Sequence, residues 1–283
     1  MRPTIDLHLH TTASDGRCTP EELVDRCDAI GLRVISVTDH DTRAGETAAR
    51  ARARERGIEF IPGIEITSVH RGRDVHMLAY NLPDQTPELD ALISEQRRLR
   101  VERAREIARR LDRLGAPIDI DALVASAAAA SGKAVARPQI AQYLIAAGHV
   151  STVAEAFDRF LGEECDAYVP HQGASPITVI QTVARAGGIA SLAHPGRLKR
   201  DELIPELVEA GLGCIEAYHS THDAAVQAHY LELAARYGVD VTGGSDYHGD
   251  GTRHAECFGS VGLDPAAYER LRARLTKHHP SQI

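Results

Sequence analysis

The sequence predicts an α/β fold, a distorted (β/α)7 barrel interrupted by an all-helical insertion. Three observations predict it. Seven short segments rich in Val, Ile and Leu recur along the chain in the manner of buried strands. Helical stretches stopped by glycine separate most of them, as in strand–helix units around a parallel sheet. Between about Leu82 and Pro170 the alternation ceases and only helical patterns remain. The expected division is a barrel from residues 1–81 and 170–283, with a helical insertion, a candidate lid, over 82–169.

The expected strands are Thr4–His10, Arg33–Thr38, Phe60–Ile66, Asp74–Tyr80, Ile189–His194, Cys214–His219 and Val239–Ser245. The first helix opens at Thr19-Pro20-Glu21-Glu22. There a hydroxyl and a glutamate three residues on can satisfy each other's backbone N–H groups, and proline suits the first helical position. This helix runs to about Ile30 and stops at Gly31; a second spans about Ala44 to Arg56 before Gly57. In the insertion, Pro87–Leu114 reads as one long helix, followed by Asp121–Ala130, Arg137–Ala147 and Thr152–Leu161. Where the barrel resumes, Ser175-Pro176 opens a helix that stops at Gly187-Gly188, and Asp201–Ala210 and Asp223–Tyr237 complete the set.

The stretch Gln96–Arg113 carries eight arginines interleaved with Glu102, Glu106 and Asp112. A nucleic-acid-binding face and a solvated helix laced with i,i+4 ion pairs both produce such a pattern, and the second is expected here.

With 283 residues, 43% of them hydrophobic, the chain can bury one substantial core. It has no tryptophan, so Ala, Val, Leu and Ile must build that core. A net charge of −8 argues against holding long duplex nucleic acid. It leaves room for a small anionic substrate in a local basic pocket. Five cysteines, Cys18, Cys27, Cys165, Cys214 and Cys257, are scattered without a CxxC pair, which points to reduced thiols. No leader-like segment and no apolar run of the roughly 18–20 residues that a membrane helix needs is present. A cytoplasmic location, no membrane contact and no obligate protein partner are expected.

The 15 histidines carry the chemistry. In Asp6-Leu7-His8-Leu9-His10, strand alternation puts Asp6, His8 and His10 on one face. An apolar strand ends in Thr38-Asp39-His40-Asp41, where His40 is the better ligand candidate and Asp39 a cap or supporting partner. Glu65 closes Pro62-Gly63-Ile64-Glu65 and could bridge two ions. His76 lies among apolar neighbours, His194 ends Ser191-Leu192-Ala193-His194, and Asp246-Tyr247-His248 repeats the period-two spacing. Taken singly, several of these read as ordinary core or loop residues. Together, six strand-associated segments deliver His, Asp or Glu, mostly at strand C-termini, the functional end of such barrels. With Asp15 the set has nine N/O candidates, more than one ion needs. Two or three divalent ions are expected, and the mixed His/carboxylate set suits Mn, Fe or Zn better than Ca or a lone Mg.

His8-x-His10 with Ser14-Asp15-Gly16, Thr38-Asp39-His40, Gly63-Ile64-Glu65, His76, Ala193-His194-Pro195 and Gly244-Ser245-Asp246-x-His248 resemble, in order, the motifs of the PHP (polymerase and histidinol phosphatase) family. The resemblance covers about 1–80 and 170–260 and implies a PHP-type barrel. It also implies ligand sets: His8, His10, Glu65 and Asp246 for one ion; Glu65, His76 and His194 for a second; Asp15, His40 and His248 for a third. The insertion resembles the branch acting on nucleoside 3′,5′-bisphosphates and short 5′-phosphorylated oligonucleotides. That implies removal of the 3′-phosphate, for example from adenosine 3′,5′-bisphosphate to give AMP, by a hydroxide bridging two ions. Asp246, His194 and His222 are the candidates for proton handling. Arg137, Arg197, Arg17, Lys133 and Lys199 are candidates for phosphate binding, with His171 and His219 as further pocket residues. The rival readings are a histidinol phosphate phosphatase, a proofreading exonuclease, and a non-catalytic metal- or nucleotide-binding module.

Overall fold

The computed structural model describes residues 3–129, 135, 137–252 and 255–278. Its strands are β1 (Ile5–Leu9), β2 (Val34–Val37), β3 (Glu59–Phe60), β4 (Gly63–His70), β5 (Arg73–Tyr80), β6 (Ile189–Leu192), β7 (Cys214–His219) and β8 (Asp240–Gly244). They form one sheet in the order β1-β2-β3 and another in the order β4-β5-β6-β7-β8. Two single bridges, Leu9 with Tyr247 and His40 with Glu65, join the sheets into a ring. The ring closes through Asp246 N–H to His8 O and His10 N–H to Tyr247 O, both at 3.0 Å, and through Asp41 N–H to Glu65 O at 2.8 Å. Both closures lie beside residues of the site.

Two features depart from the sequence reading. The expected strand Phe60–Ile66 is broken into β3 and β4 at Pro62, which has no N–H to give the ladder. The barrel is also not uniformly parallel, because β5 runs antiparallel to both β4 and β6. Only Arg71 and Gly72 separate the paired residues His70 and Arg73. Two residues cannot carry the crossover that parallel pairing requires. Both have positive φ, 50° and 77°, as a tight hairpin demands.

The helices are α1 (Pro20–Ala29), α2 (Glu46–Arg56), α3 (Pro87–Arg113), α4 (Ile120–Ala129), α5 (Arg137–Ala146), α6 (Val153–Ala156), α7 (Pro176–Arg185), α8 (Pro195–Leu198), α9 (Ile204–Glu209), α10 (Ala224–Tyr237) and α11 (Pro265–His278). The capping box of α1 forms: Thr19 Oγ1 accepts the Glu22 N–H at 3.2 Å and Glu22 Oε2 accepts the Thr19 N–H at 2.9 Å. Ser175 and Asp223 cap α7 and α10 with their side-chain oxygens alone, accepting backbone N–H groups of the first turn. The expected helix Thr152–Leu161 is α6 followed by a π-helical turn, Phe157–Leu161. Two helices were not anticipated from the sequence. One is the short α8 after His194. The other is α11, which Asn81 anchors by donating from Nδ2 to Leu275 O at 3.0 Å.

Three apolar clusters hold the fold. Leu7, Ile64, Ile66, Met77, Leu78 and Ile215 belong to the largest, in the barrel. Leu23, Val24, Ile35 and Ala53 pack α1 and α2 against β1 and β2. Ile107, Leu111, Ile140, Leu144 and Leu161 form a separate cluster within the insertion. Because the insertion buries its own apolar surface, it can present a polar face to the barrel mouth without giving up its core.

Candidate metal centre and substrate cavity

The strand pattern decides what lies at the centre. On β1, Leu7 and Leu9 face apolar clusters while Asp6, His8 and His10 face the barrel axis, all fully buried. Asp6 holds the neighbouring strand end: its Oδ1 accepts the N–H groups of His8 and Ser245 at 3.2 and 3.0 Å, and Oδ2 accepts Ser245 Oγ–H at 2.7 Å. Burial pushes its carboxyl up to about 6. Asp39 does the same for the loop carrying Asp15, accepting from Thr11 N–H at 2.8 Å and from Ser14 Oγ–H at 2.6 Å. Its part as a supporting partner follows from these bonds.

Glu65 is the hub. Its Oε2 lies 3.2 Å from His8 Nε2, 3.3 Å from His10 Nε2 and 3.2 Å from His40 Nδ1. Its Oε1 lies 2.7 Å from His76 Nδ1 and 3.0 Å from His194 Nε2. Asp246 Oδ1 lies 3.2 Å from His10 Nε2 and 3.4 Å from His8 Nε2. Asp15 completes a third grouping, with His248 Nε2 at 3.3 Å, His10 Nδ1 at 3.9 Å and His40 Nε2 at 4.0 Å. All nine residues singled out as ligand candidates thus converge. Ligand atoms within 4.8 Å of one another occur in the groups His8-His10-Glu65-Asp246, His10-Asp15-His40-His248 and His40-Glu65-His76.

The arrangement fits divalent ions on an observation of its own. His10 Nδ1 and Nε2 and His40 Nδ1 are buried without a hydrogen-bond partner. A buried unsatisfied polar atom costs about 1–3 kcal/mol, and a cation held among these nitrogens and carboxylates satisfies them. Charge is distributed to suit. Burial opposes ionisation of Glu65 and Asp246, but the surrounding imidazoles outweigh it and hold both well below the usual carboxylate range. Burial also opposes the His10 cation, yet the Asp246 and Glu65 carboxylates beside its ring push it up to about 10. His40 and His194, where burial wins, are pushed down to about 4 and are neutral at pH 7.

Above this floor lies a cavity of about 390 Å³. Asp15, His40, Glu65, His76, His194, Asp246 and His248 line its lower side. Arg197 projects from α8, with Nη1 3.5 Å from Asp246 Oδ2. The facing wall comes from α3, α5, the π-helical turn and the returning loop, as Arg103, Arg137, Phe157 and His171. Arg137 lies over the rings of Phe157 and Tyr168, 5.7 and 5.4 Å from their centroids, and donates to Leu161 O at 3.1 Å. Arg103 also covers Tyr168, at 5.9 Å, and donates to Val169 O at 2.8 Å. Burial first, then repulsion from Arg137, lowers the Arg103 pKa. No carboxylate forms an ion pair with either guanidinium among the described residues. Two adjacent guanidiniums without a carboxylate partner, held by carbonyls and aromatic faces, are suited to an anion.

Several sequence candidates prove to lie elsewhere. Arg17 points outward, donating to Asp250 O at 2.9 Å. Lys199 lines a separate surface cleft with Asp201 and His229. Lys133 lies outside the described residues. His219 is buried beneath the cavity, with Nε2 3.3 Å from Asp246 Oδ2. His222 is corrected as a proton-transfer candidate. Its Nε2 accepts the Gly196 N–H at 3.1 Å and its Nδ1–H goes to Ala217 O at 2.9 Å, so both ring nitrogens serve backbone. Asp246 and His194 are also unsuited to give up a proton at neutral pH: the first is held ionised, the second neutral.

The residues not anticipated are Glu216, Arg100 and Arg103. Glu216 had a signal, being a lone acid inside the apolar strand Cys214-Ile215-Glu216-Ala217. Arg100 and Arg103 were hidden in the arginine-rich helix. Its outer face is solvated as expected, with Arg98 paired to Glu95 and Glu102, and Arg109 and Arg110 to Glu106. Its inner face grips the barrel: Arg97 donates to Asp41 O at 2.8 Å, and Arg100 pairs with Asp41 Oδ2 at 2.6 Å.

Comparison with known proteins gives the family. The PHP domain model matches residues 6–94. The chain is 42% identical over 197 residues to a 5′-3′ exoribonuclease of Haemophilus influenzae, covering 70% of each. It is 34% identical to a phosphoribosyl 1,2-cyclic phosphate 1,2-diphosphodiesterase of Eggerthella lenta, over 86% of this chain and 94% of that one. It is 32% identical to a 3′,5′-nucleoside bisphosphate phosphatase of Chromobacterium violaceum, over 96% of this chain and 98% of that one. Among solved structures, a protein from Bifidobacterium adolescentis described as a metal-dependent phosphoesterase superimposes with a TM-score of 0.84 at 32% identity, covering 97% of this chain and 98% of that one. The chain belongs to the PHP family of metal-dependent phosphoesterases and is a hydrolase of phosphate esters.

Proposed function

We propose that this PHP phosphoesterase removes the 3′-phosphate from nucleotides that also carry a 5′-phosphate, with nucleoside 3′,5′-bisphosphates as the principal substrate. One observation carries the reading: a single cavity joins the ligand cluster on its floor to Arg103, Arg137 and His171 on the opposite wall. A substrate with two separated anionic groups answers both. At about 390 Å³ the cavity lies near the low end of the roughly 300–1,000 Å³ typical of small-molecule sites. That size suits one nucleotide unit better than a long duplex.

The nine convergent residues are the proposed metal ligands, in the three sets named above. Manganese is the preferred ion. When bound, divalent ions there supply Lewis acidity, which lowers the pKa of a water molecule and offsets charge on the phosphoryl oxygens. Arg197, beside Asp246, orients the phosphate to be cleaved. Arg137 and Arg103 take the second phosphate, their donors aimed by the carbonyls and rings that hold them. His171, fixed by Asp74 at 2.6 Å from its Nδ1, lines the same wall. Phe157, Val135 and Pro138 exclude water from the space between. The helical insertion, residues 82–169, serves as the lid that reads the 5′-phosphate.

The same wall would accept the 5′-phosphate of a short oligonucleotide, with cleavage proceeding from that end; the name of the Haemophilus relative supports this second use. All five cysteines are free, which supports a cytoplasmic setting.

The test is phosphate release by the manganese-loaded chain from adenosine 3′,5′-bisphosphate, 3′-AMP, 5′-AMP and histidinol phosphate. Rapid hydrolysis of the bisphosphate alone, leaving 5′-AMP, is expected. Equal turnover of 3′-AMP would sink the two-phosphate reading. Fast turnover of histidinol phosphate would replace the substrate while keeping the chemistry. Phosphoribosyl 1,2-cyclic phosphate belongs in the panel because the Eggerthella relative is named for it.

A further inference from the structure

One fully buried carboxylate near the cluster has no part in the chemistry described so far. Glu216 sits within β7, between the buried residues Ile215 and Ala217. Its two oxygens hold different things. Oε1 lies 2.9 Å from His8 Nδ1, and Oε2 accepts the backbone N–H of His194 at 2.7 Å. An ionised carboxylate only accepts, so His8 must donate its Nδ1–H there. That leaves Nε2 facing Glu65 and Asp246, 3.2 and 3.4 Å away. His194 has φ 28° and ψ 56°. A non-glycine residue in that region is strained and persists only where its surroundings hold it. The bond from Oε2 is one such restraint.

We propose that Glu216 is the positioning residue of the metal centre, fixing the tautomer of His8 and the backbone of His194 so that both present Nε2 toward Glu65. This rests on the reading of His8 and His194 as metal ligands. Metal-bound histidines commonly give their second ring N–H to a carboxylate, and removing that partner weakens metal binding. Here one carboxylate serves two ligand residues that are 186 positions apart in sequence (194 − 8).

A competing role for Glu216 is as a ligand itself. The ligand atoms of His8, Glu216 and His219 lie within 4.8 Å of one another. The hydrogen bonds argue against that role. Both Glu216 oxygens already accept short N–H bonds. His219 Nδ1 lies 2.8 Å from Thr221 Oγ1, and its Nε2 faces Asp246.

The test is manganese titration of the metal-free wild type, Glu216→Gln, His8→Ala and the double variant. Calorimetry would give affinity, and elemental analysis would give stoichiometry at saturation. An amide has one acceptor oxygen, so Glu216→Gln cannot serve both N–H groups. Its dissociation constant should rise about 10- to 100-fold with the saturating stoichiometry unchanged. In the His8→Ala background the same substitution should cost less than in the wild type, because only the bond to His194 is then left to lose.

Unchanged affinity in Glu216→Gln would overturn the proposal. So would loss of a whole equivalent at saturation, which would make Glu216 a ligand. Equal losses in both backgrounds, or a metal-free variant lacking the wild-type circular dichroism, would make it a residue of the fold instead. A wild type that binds no manganese would overturn the ligand reading beneath the proposal, an outcome distinct from all of these.

Discussion

The floor and the wall of the cavity are built by different means. The floor stands on strand ends. His8, His10 and Glu65 are fully buried, and the barrel closes within one or two residues of Asp246 and His40. Its side chains satisfy one another, apart from the orphaned nitrogens of His10 and His40. The wall stands on helices, a π-helical turn and a loop, and its arginines are held by carbonyl oxygens and aromatic faces. A floor of that rigidity can hold reacting groups in place, whereas a wall on an inserted unit can change without disturbing the barrel. On the function proposed above, the floor carries the chemistry and the wall the choice of substrate.

The largest effect should come from the hub. Glu65→Gln removes a charge that five imidazoles share, and turnover of every phosphate ester should fall by more than about 100-fold, beyond the scale seen for mere supporting residues. Steady-state kinetics on a bisphosphate and on a monophosphate would show it. A loss confined to one of the two would break the division between floor and wall.

A smaller effect is in pH. His10 is pushed up to about 10 from an ordinary value of 6.5, so the metal-free protein holds it as a cation at neutral pH. Its contribution to the stability of the metal-free fold is fully present below about 6.5 and is lost as pH rises through about 10. A metal ligand must be neutral, so the sign for binding is the reverse. Manganese affinity should increase with pH between 7 and 9, by up to about tenfold per pH unit for each proton displaced. Calorimetry in buffers of different ionisation enthalpy would count the protons. Binding without proton release would contradict the charge assignment of the floor.

The smallest effect should come from outside both regions. Arg98, on the solvated face of α3, pairs with Glu95 and Glu102 of its own helix. Arg98→Gln should leave melting temperature and substrate preference unchanged, since exposed ion pairs contribute little. A shift in substrate preference would extend the wall to the outer face of the helix.

The floor was legible in the sequence because strand chemistry is local. Period-two spacing put His8 and His10 on one face, and apolar runs ending in acids or imidazoles marked the strand ends. The wall was not legible as a unit. Arg103 and Arg137 come from separate helices, and nothing in the spacing of α3 separates Arg103, facing the cavity, from Arg98, facing solvent. The antiparallel hairpin of β4 and β5 was missed because Arg71-Gly72 is a weaker turn signal than Asn-Gly or Asp-Gly. Glu216 was overlooked because its partners, His8 in β1 and His194 just after β6, are remote in sequence.

The most direct test of the division is the ratio of kcat/KM for adenosine 3′,5′-bisphosphate to that for 3′-AMP, measured in the wild type and in Arg137→Met. A charge-assisted hydrogen bond is worth about 1.5–3 kcal/mol, or roughly 10- to 150-fold. The ratio is expected to fall by that factor because only the bisphosphate slows. If both substrates slow equally, Arg137 belongs to the floor's chemistry and the separation of floor from wall is wrong.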